Sequence, residues 1–217
     1  MKAIIPVRSG SKRVVNKNIR SIAGTTLLEH KIKQLLKVPM LDAVCVNSED
    51  EEMLFIAKRA GAVPFKRDPY FASDSIPMSE VYANMVSELD CEDVLYATVT
   101  TPFITTSRYV DAINMYFSRE DEFDSIHSTR RVYDFLIREG VPLNYNPSNF
   151  PRSQDLPDIQ KLVFGFSLLP RKLMIEKKSS VGYHPKFLEV TDIESLDIDT
   201  ELDFKIADML LKNEKNT

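Results

Sequence analysis

Short apolar runs and one-sided helical spacings alternate along most of this chain, the pattern of a mainly parallel sheet covered by helices. Ala3-Ile4-Ile5-Pro6-Val7 reads as a buried strand. Leu27, Leu28, Ile32, Leu35 and Leu36 then fall on one helical face before a second short strand, Ala43-Val44-Cys45-Val46. That is a βαβ unit. A helix over 51–60 ends at Gly61, where glycine can take the left-handed cap, and Ala62-Val63-Pro64-Phe65 follows as a further extended piece. The spacing next predicts a helix over 79–89 and a strand over 94–99. A break at Thr100-Thr101-Pro102 and a helix around 108–117 come after it.

The rhythm changes after Asp124. Ile126, Val132, Phe135, Ile137, Val141 and Leu143 come in short segments punctuated by Gly140, Pro142, Pro147 and Pro151, which predicts an inserted β-rich excursion within 125–185. An excursion that is apolar but shallow is expected to pack on another surface, and a second copy of the chain is the simplest one, giving a homodimer. The chain returns to the sheet at Phe187-Leu188-Glu189-Val190 and ends in a helix from about Thr200, with Leu202, Ile206, Met209 and Leu210 lining one face. At this length the whole chain, 1–217, is expected to be a single α/β domain.

Composition narrows the partners. A net charge of -4 and a pI near 5.5 do not suit a nucleic-acid or anionic-membrane binder. Cys45 and Cys91 lack metal-ligand spacing and fall in or beside apolar segments, as small buried hydrophobes do in a reducing compartment. No apolar run approaches membrane-spanning length, and the N-terminus enters a strand without a signal-peptide pattern, so the expected location is cytoplasmic.

Against that acidic background, Arg8-Ser9-Gly10-Ser11-Lys12-Arg13 followed by Asn16-Lys17-Asn18 places a cationic loop directly after the first strand. Gly10 between two serines lets successive amides turn toward an anion, and Arg8, Lys12, Arg13 and Lys17 add positive charge suited to a triphosphate. Near the other end, Ser195-Leu196-Asp197-Ile198-Asp199-Thr200-Glu201-Leu202-Asp203 carries the acidic counterpart. In an extended segment Asp197 and Asp199 point to the same side, an arrangement that suits Mg²⁺ with phosphate oxygens and water. Capping of the last helix by Asp199 or Thr200 is the competing use of the same residues.

Together these stretches resemble the acylneuraminate cytidylyltransferase family, which makes CMP-activated sugars from CTP and a keto-sugar acid. Lys66-Arg67-Asp68 with Ala72-Ser73-Asp74, and Pro151-Arg152-Ser153-Gln154-Asp155-Leu156-Pro157, match as well and in order. The resemblance implies a three-layer Rossmann-like nucleotidyltransferase fold with a mainly parallel mixed sheet and a small inserted dimerisation excursion. It implies that Arg8, Lys12 and Lys17 hold the triphosphate, with Ser9, Gly10 and Ser11 adding donors and Asn18 beside the nucleotide. Arg67 and Ser79 would lie near the base or ribose, Arg152 close to the acceptor, and Asp197 and Asp199 on Mg²⁺. The implied reaction is attack of an acceptor oxygen on the α-phosphate of CTP with pyrophosphate leaving, in which Arg8, Lys17, Asp197 and Asp199 are the catalytic set.

The chain departs from the family where the acceptor is read. The usual Gln-Pro-Thr-Ser-Pro-Leu-Arg is here Thr98-Val99-Thr100-Thr101-Pro102-Phe103-Ile104, which leaves Thr98 as the acceptor-side candidate. The usual Asn-Gly-Ala-x-Tyr is Val163-Phe164-Gly165-Phe166-Ser167. Lys161, Arg130 or Arg131 could supply the missing cation. His30, His127 and His184 are expected to be structural or surface histidines. Two alternatives stand beside this reading: a metal-dependent glycosyltransferase using Asp-Ile-Asp, and a CTP-binding protein with an altered acceptor site.

Overall fold

The structure, a computed structural model, describes residues 1–119 and 122–215. Strand β1 (Lys2–Pro6) has Ala3, Ile4 and Ile5 fully buried, a run that needs cover on both sides of the sheet. A short hairpin of β2 (Ser21–Ile22) and β3 (Thr25–Thr26) leads into α1 (Leu27–Leu35). There follow β4 (Ala43–Ser48), α2 (Glu51–Arg59), β5 (Val63–Lys66), α3 (Met78–Ser87), β6 (Asp93–Ala97) and α4 (Thr106–Phe117). Then come β7 (Ser125–Arg131), a second small hairpin of β8 (Ile137–Arg138) and β9 (Val141–Pro142), and β10 (Gln160–Pro170). α5 (Arg171–Lys177), β11 (Pro185–Glu189) and α6 (Glu201–Lys215) complete the order.

Seven strands form one sheet in the order β11-β7-β10-β6-β1-β4-β5. β1 pairs in parallel with both β4 and β6, while β10 runs antiparallel between β6 and β7. Alternate side chains of β1 serve opposite faces. Ala3 and Ile5 join a core shared with α1, α2, α4 and α6, and Ile4 joins a second core with α3 and α5, which gives the expected three layers. The chain leaves β1 on one side through β4 and β5 and returns on the other at β6. The strand order therefore reverses at β1, and a crevice opens beyond the carboxyl ends of β1 and β6. No described helix is long and apolar enough to cross a membrane.

Three expectations are corrected. The chain returns to the main sheet well before Phe187, since β7 and β10 already belong to it; the excursion expected within 125–185 is the part 132–159 that carries the β8-β9 hairpin. β7 escapes an apolar pattern because its buried positions include Ser125, His127, Ser128 and Thr129, and Ser128, Thr129 and the Nδ1 side of His127 find partners on β10. Ser128 Oγ donates to Val163 O at 2.6 Å, and Ser167 Oγ and His127 Nδ1 lie 2.8 Å apart. The second correction is the rotation of α6: Phe204, Ala207 and Leu211 are buried, whereas Leu202, Ile206 and Met209 are exposed. Thr200 and Asp203 fix that phase by capping each other's backbone, and Arg20 stacks on the Phe204 ring at 4.2 Å. Third, α1 leaves Leu36 exposed and buries Lys31 completely.

Lys31 ties α1 to the loop after β6. Its Nζ lies 2.9 Å from Thr101 O and 2.8 Å from the Tyr109 hydroxyl, while His30 Nε2 and Gln34 Nε2 both meet Pro102 O. Burial pushes the Lys31 amine down to about 7 from 10.5. The unfolded chain therefore binds a proton that the folded chain does not between those values, and stability rises with pH across that window. Chemical denaturation of the wild type should show rising stability from about pH 7 to 9, by at most about 1.4 kcal/mol per pH unit, and Lys31→Met should lose that slope. The range stops short of the window in which Cys45, pushed up to about 11 by burial, would act in the opposite direction.

Candidate active site

A cleft of about 590 Å³ occupies the crevice beyond β1 and β6. One wall is the loop after β1, contributing Arg8, Gly10, Ser11, Lys12, Lys17 and Asn18. Gly10 takes φ +73°, the turn that an L side chain rarely adopts, and buried Val14 anchors the loop beneath. Asn18 Nδ2 donates to Arg8 O at 3.0 Å and its own carbonyl accepts from Leu28 N, so the start of α1 braces the loop from behind. Ser9 turns away: its amide and hydroxyl both donate to Glu49 Oε1 at 2.8 Å, and it does not line the cleft.

The opposite wall is apolar, formed by Phe71, Ile76, Met78, Val81 and Tyr96, with Arg67 among them. Arg67 is almost fully buried and is held by Asn47, with Nε 2.6 Å from Oδ1 and a terminal nitrogen 2.8 Å from the carbonyl oxygen. Burial raises the pKa of the Tyr96 hydroxyl, keeping it protonated, and its ring meets that of Tyr82 edge-on at 5.6 Å. A flat aromatic base fits between such surfaces, with the fixed guanidinium as its polar partner. Ser79 is exposed in the first turn of α3 and is not part of this lining.

The acidic stretch abuts the cationic loop and the loop after β6, although neither Asp197 nor Asp199 is among the residues that line the cleft. Ile198 N donates to Thr100 O at 2.9 Å, and Lys17 Nζ donates to Ile198 O at 2.5 Å while lying 3.8 Å from Asp199. Arg13 pairs with Asp199 at 2.7 Å. Burial lowers the pKa of Lys17, and Asp199 and then Asp197 oppose that shift. The helix cap is Thr200 with Asp203, whose carboxylate accepts from Thr200 N at 2.7 Å and whose amide donates to Thr200 Oγ1 at 3.2 Å. Asp197 and Asp199 are thereby spared from capping. Asp197 Oδ1 is buried with no hydrogen-bond partner among the described residues, a costly arrangement unless a cation or donor meets it. Among the described residues no group of three or more metal-ligating side chains is gathered, so a metal here would rest on two carboxylates plus phosphate and water oxygens, which fits Mg²⁺.

Thr98, the residue expected to face the acceptor, lines the cleft, and its hydroxyl donates to Phe164 O at 2.7 Å. A Cβ on Gly165 would lie 2.9 Å from two Ile104 side-chain atoms, so only glycine fits there without displacing Ile104. The two departing segments are thus one packed unit. Arg152 lies outside the cleft on the projecting segment, its side chain 74% exposed and paired with Asp155 at 2.7 Å. Arg130 pairs with Glu189 and Asp192, Arg131 with Asp158, and Lys161 is exposed on β10; none of them lines the cleft. His30 holds Pro102 O, and His127 sits inside the sheet, where burial pushes it down to about 4. Tyr96, Phe71 and Asp74 are cleft residues that the sequence reading gave no role.

A three-layer α/β sheet with a cationic loop at its crevice and an acidic stretch in contact with that loop is the arrangement nucleotide transfer requires. The cytidylyltransferase family matches residues 2–136, and the chain belongs to that family, in agreement with the resemblance of its motifs. It is 29% identical over 229 residues to the pseudaminic acid cytidylyltransferase of Campylobacter jejuni, covering 96% of this chain and 95% of that protein. It is 26% identical to N-acylneuraminate cytidylyltransferase A of Danio rerio, over 96% of this chain and 50% of that one. The solved structure of CMP:2-keto-3-deoxy-manno-octonic acid synthetase complexed with CTP shares the fold, with a TM-score of 0.73 over 98% of both chains at 14% identity. The protein is accordingly a CTP-dependent nucleotidyltransferase, and the glycosyltransferase alternative is set aside.

The separation of cap from acidic pair can be measured. Thr200→Ala should lower stability by about 1 kcal/mol in denaturant titration. Asp199→Ala should leave the cap in place and lower stability less.

Proposed function

We propose that this enzyme transfers CMP from CTP to a nonulosonic or related keto-sugar acid and releases pyrophosphate. The observation that carries the proposal is the contact of Lys17 and Arg13 with the segment 198–199, which brings a triphosphate-seeking loop and a carboxylate pair to one edge of the sheet. The relatives' names supply the acceptor class, since they describe activation of pseudaminic and N-acylneuraminic acids.

Arg8, Lys12 and Lys17 would bind the phosphates, and the same cations would stabilise the charge that gathers on the departing pyrophosphate. Arg67, Tyr96 and the apolar wall would hold the base, and Asn18 would keep the loop in register with it. Asp197 and Asp199 would hold Mg²⁺. When bound, the ion supplies Lewis-acid polarisation of the α-phosphate. Thr98 and Thr100 would face the acceptor, whose incoming hydroxyl must lie in line with the leaving pyrophosphate. The paired departure of 98–104 and 163–167 supports an acceptor distinct from sialic acid within the class.

The segment 132–159 supports pairing of two copies. Phe135, Tyr145 and Phe150 cluster with ring centroids about 5 Å apart, and Ile137, Val141 and Leu143 are exposed beside them. Both cysteines are free, which supports work in a reducing compartment such as the cytoplasm.

The test is pyrophosphate release from CTP and Mg²⁺ with a panel of nonulosonic and octulosonic acids. One or more acids should be turned over, and Asp197→Ala and Asp199→Ala should each lower kcat by about a hundredfold or more. CTP binding with no pyrophosphate from any acid would favour a binding protein instead; full turnover by both variants would remove the metal assignment.

A further inference from the structure

Asp74 faces the phosphate-binding loop across the mouth of the cleft and divides its carboxylate between two of the loop's cations. Oδ1 lies 2.5 Å from an Arg8 guanidinium nitrogen and Oδ2 lies 2.7 Å from Lys12 Nζ. Arg8 also donates to Ala72 O at 2.8 Å, so the segment carrying Asp74 is fastened to the loop at two points. That segment supplies Phe71, Ala72, Ser73 and Ile76 to the cleft lining. The neighbouring polar residues have local uses: Asp68 Oδ1 accepts from Tyr70 N, and the Ser73 and Ser75 hydroxyls meet each other. Asp74 instead reaches across to the loop. A carboxylate shared between an arginine and a lysine presents anionic oxygens much as a phosphate group held by that pair would.

We propose that Asp74 is an intramolecular competitor for phosphate, so that binding of the triphosphate exchanges the Asp74 carboxylate for phosphate oxygens on Arg8 and Lys12 and releases residues 72–76 from the loop. This rests on the phosphate role given to those cations above. The exchange follows from charge: a carboxylate and a phosphate brought to the same two cations repel each other, so one of them must leave. All three side chains are well exposed, at 43% for Arg8, 81% for Lys12 and 48% for Asp74, so the ion pairs are weak enough to be traded. A ligand with several charged phosphates displaces Asp74 readily, whereas one that does not reach Arg8 and Lys12 gains nothing from displacing it. Asp74 therefore penalises the phosphate-rich ligands that compete for its cations, and its return assists departure of the pyrophosphate product.

Calorimetric titration of CTP, inorganic pyrophosphate and CMP into the wild type, Asp74→Asn and Asp74→Glu tests this. Asp74→Asn should bind CTP and pyrophosphate about fivefold more tightly than the wild type, with CMP affinity unchanged and Asp74→Glu close to the wild type. Hydrogen exchange supplies the second readout: pyrophosphate should speed exchange at 72–76 in the wild type, and in Asp74→Asn exchange there should be fast from the start. Equal or weaker binding of pyrophosphate by Asp74→Asn, with the wild type binding normally, overturns the competition and leaves the function reading intact. Failure of the wild type to bind either CTP or pyrophosphate overturns the phosphate assignment of the loop, and this proposal with it.

Discussion

One junction holds the active edge of this protein together: the backbone of Ile198 clasped between Thr100 O and Lys17 Nζ. Lys17 and Ile198 are 181 positions apart in sequence, yet the carbonyl and amide of one residue connect the loop after β1, the loop after β6 and the approach to α6. The burial that lowers the Lys17 pKa is a consequence of this clasp, because the ammonium must leave water to reach Ile198 O. Its positions relative to Asp199 and Asp197 keep that cost bearable. Lys31 reinforces the junction from below, since its hold on Thr101 O fixes the loop from which Thr100 reaches Ile198.

The charge of the cleft is nearly self-contained. Arg13 answers Asp199, Arg8 and Lys12 answer Asp74, and Ser9 answers Glu49. A loop with this many cations would otherwise repel itself, and the internal carboxylates let it fold into a defined shape before any ligand contributes. The apolar wall is different in kind: its order comes from packing and from the buried hold of Asn47 on Arg67.

The sheet and its cationic loop were legible because their signals are local. Ile4 and Ile5 announce a strand, and the cations after Val7 stand at the cleft beyond its end. β7 was hidden because burial of Ser128 and Thr129 is made possible by partners on β10, far away in the chain. The phase of α6 was misread for a related reason. Leu202, Ile206 and Met209 are as periodic as Phe204, Ala207 and Leu211, and the choice between two apolar stripes is made by the Thr200–Asp203 cap and the stacked Arg20. Within the cleft, the lining places of Arg8, Lys12 and Lys17 could be read from their position after the first strand. The exposed places of Arg152 and Ser79 and the lining role of Tyr96 depend on how separate elements meet.

The fit of Gly165 against Ile104, together with the hydroxyl that Thr98 lends to Phe164 O, makes the segments 98–104 and 163–167 a matter of epistasis. A side chain at 165 requires Ile104 to shift or shrink, and a larger residue at 98 or 104 arrives against a β10 segment packed on threonine and isoleucine. Exchanging one segment alone passes through a mispacked intermediate. The two segments are therefore inherited as a pair, and a lineage that changes one must alter the other with it or cross a stability valley between them.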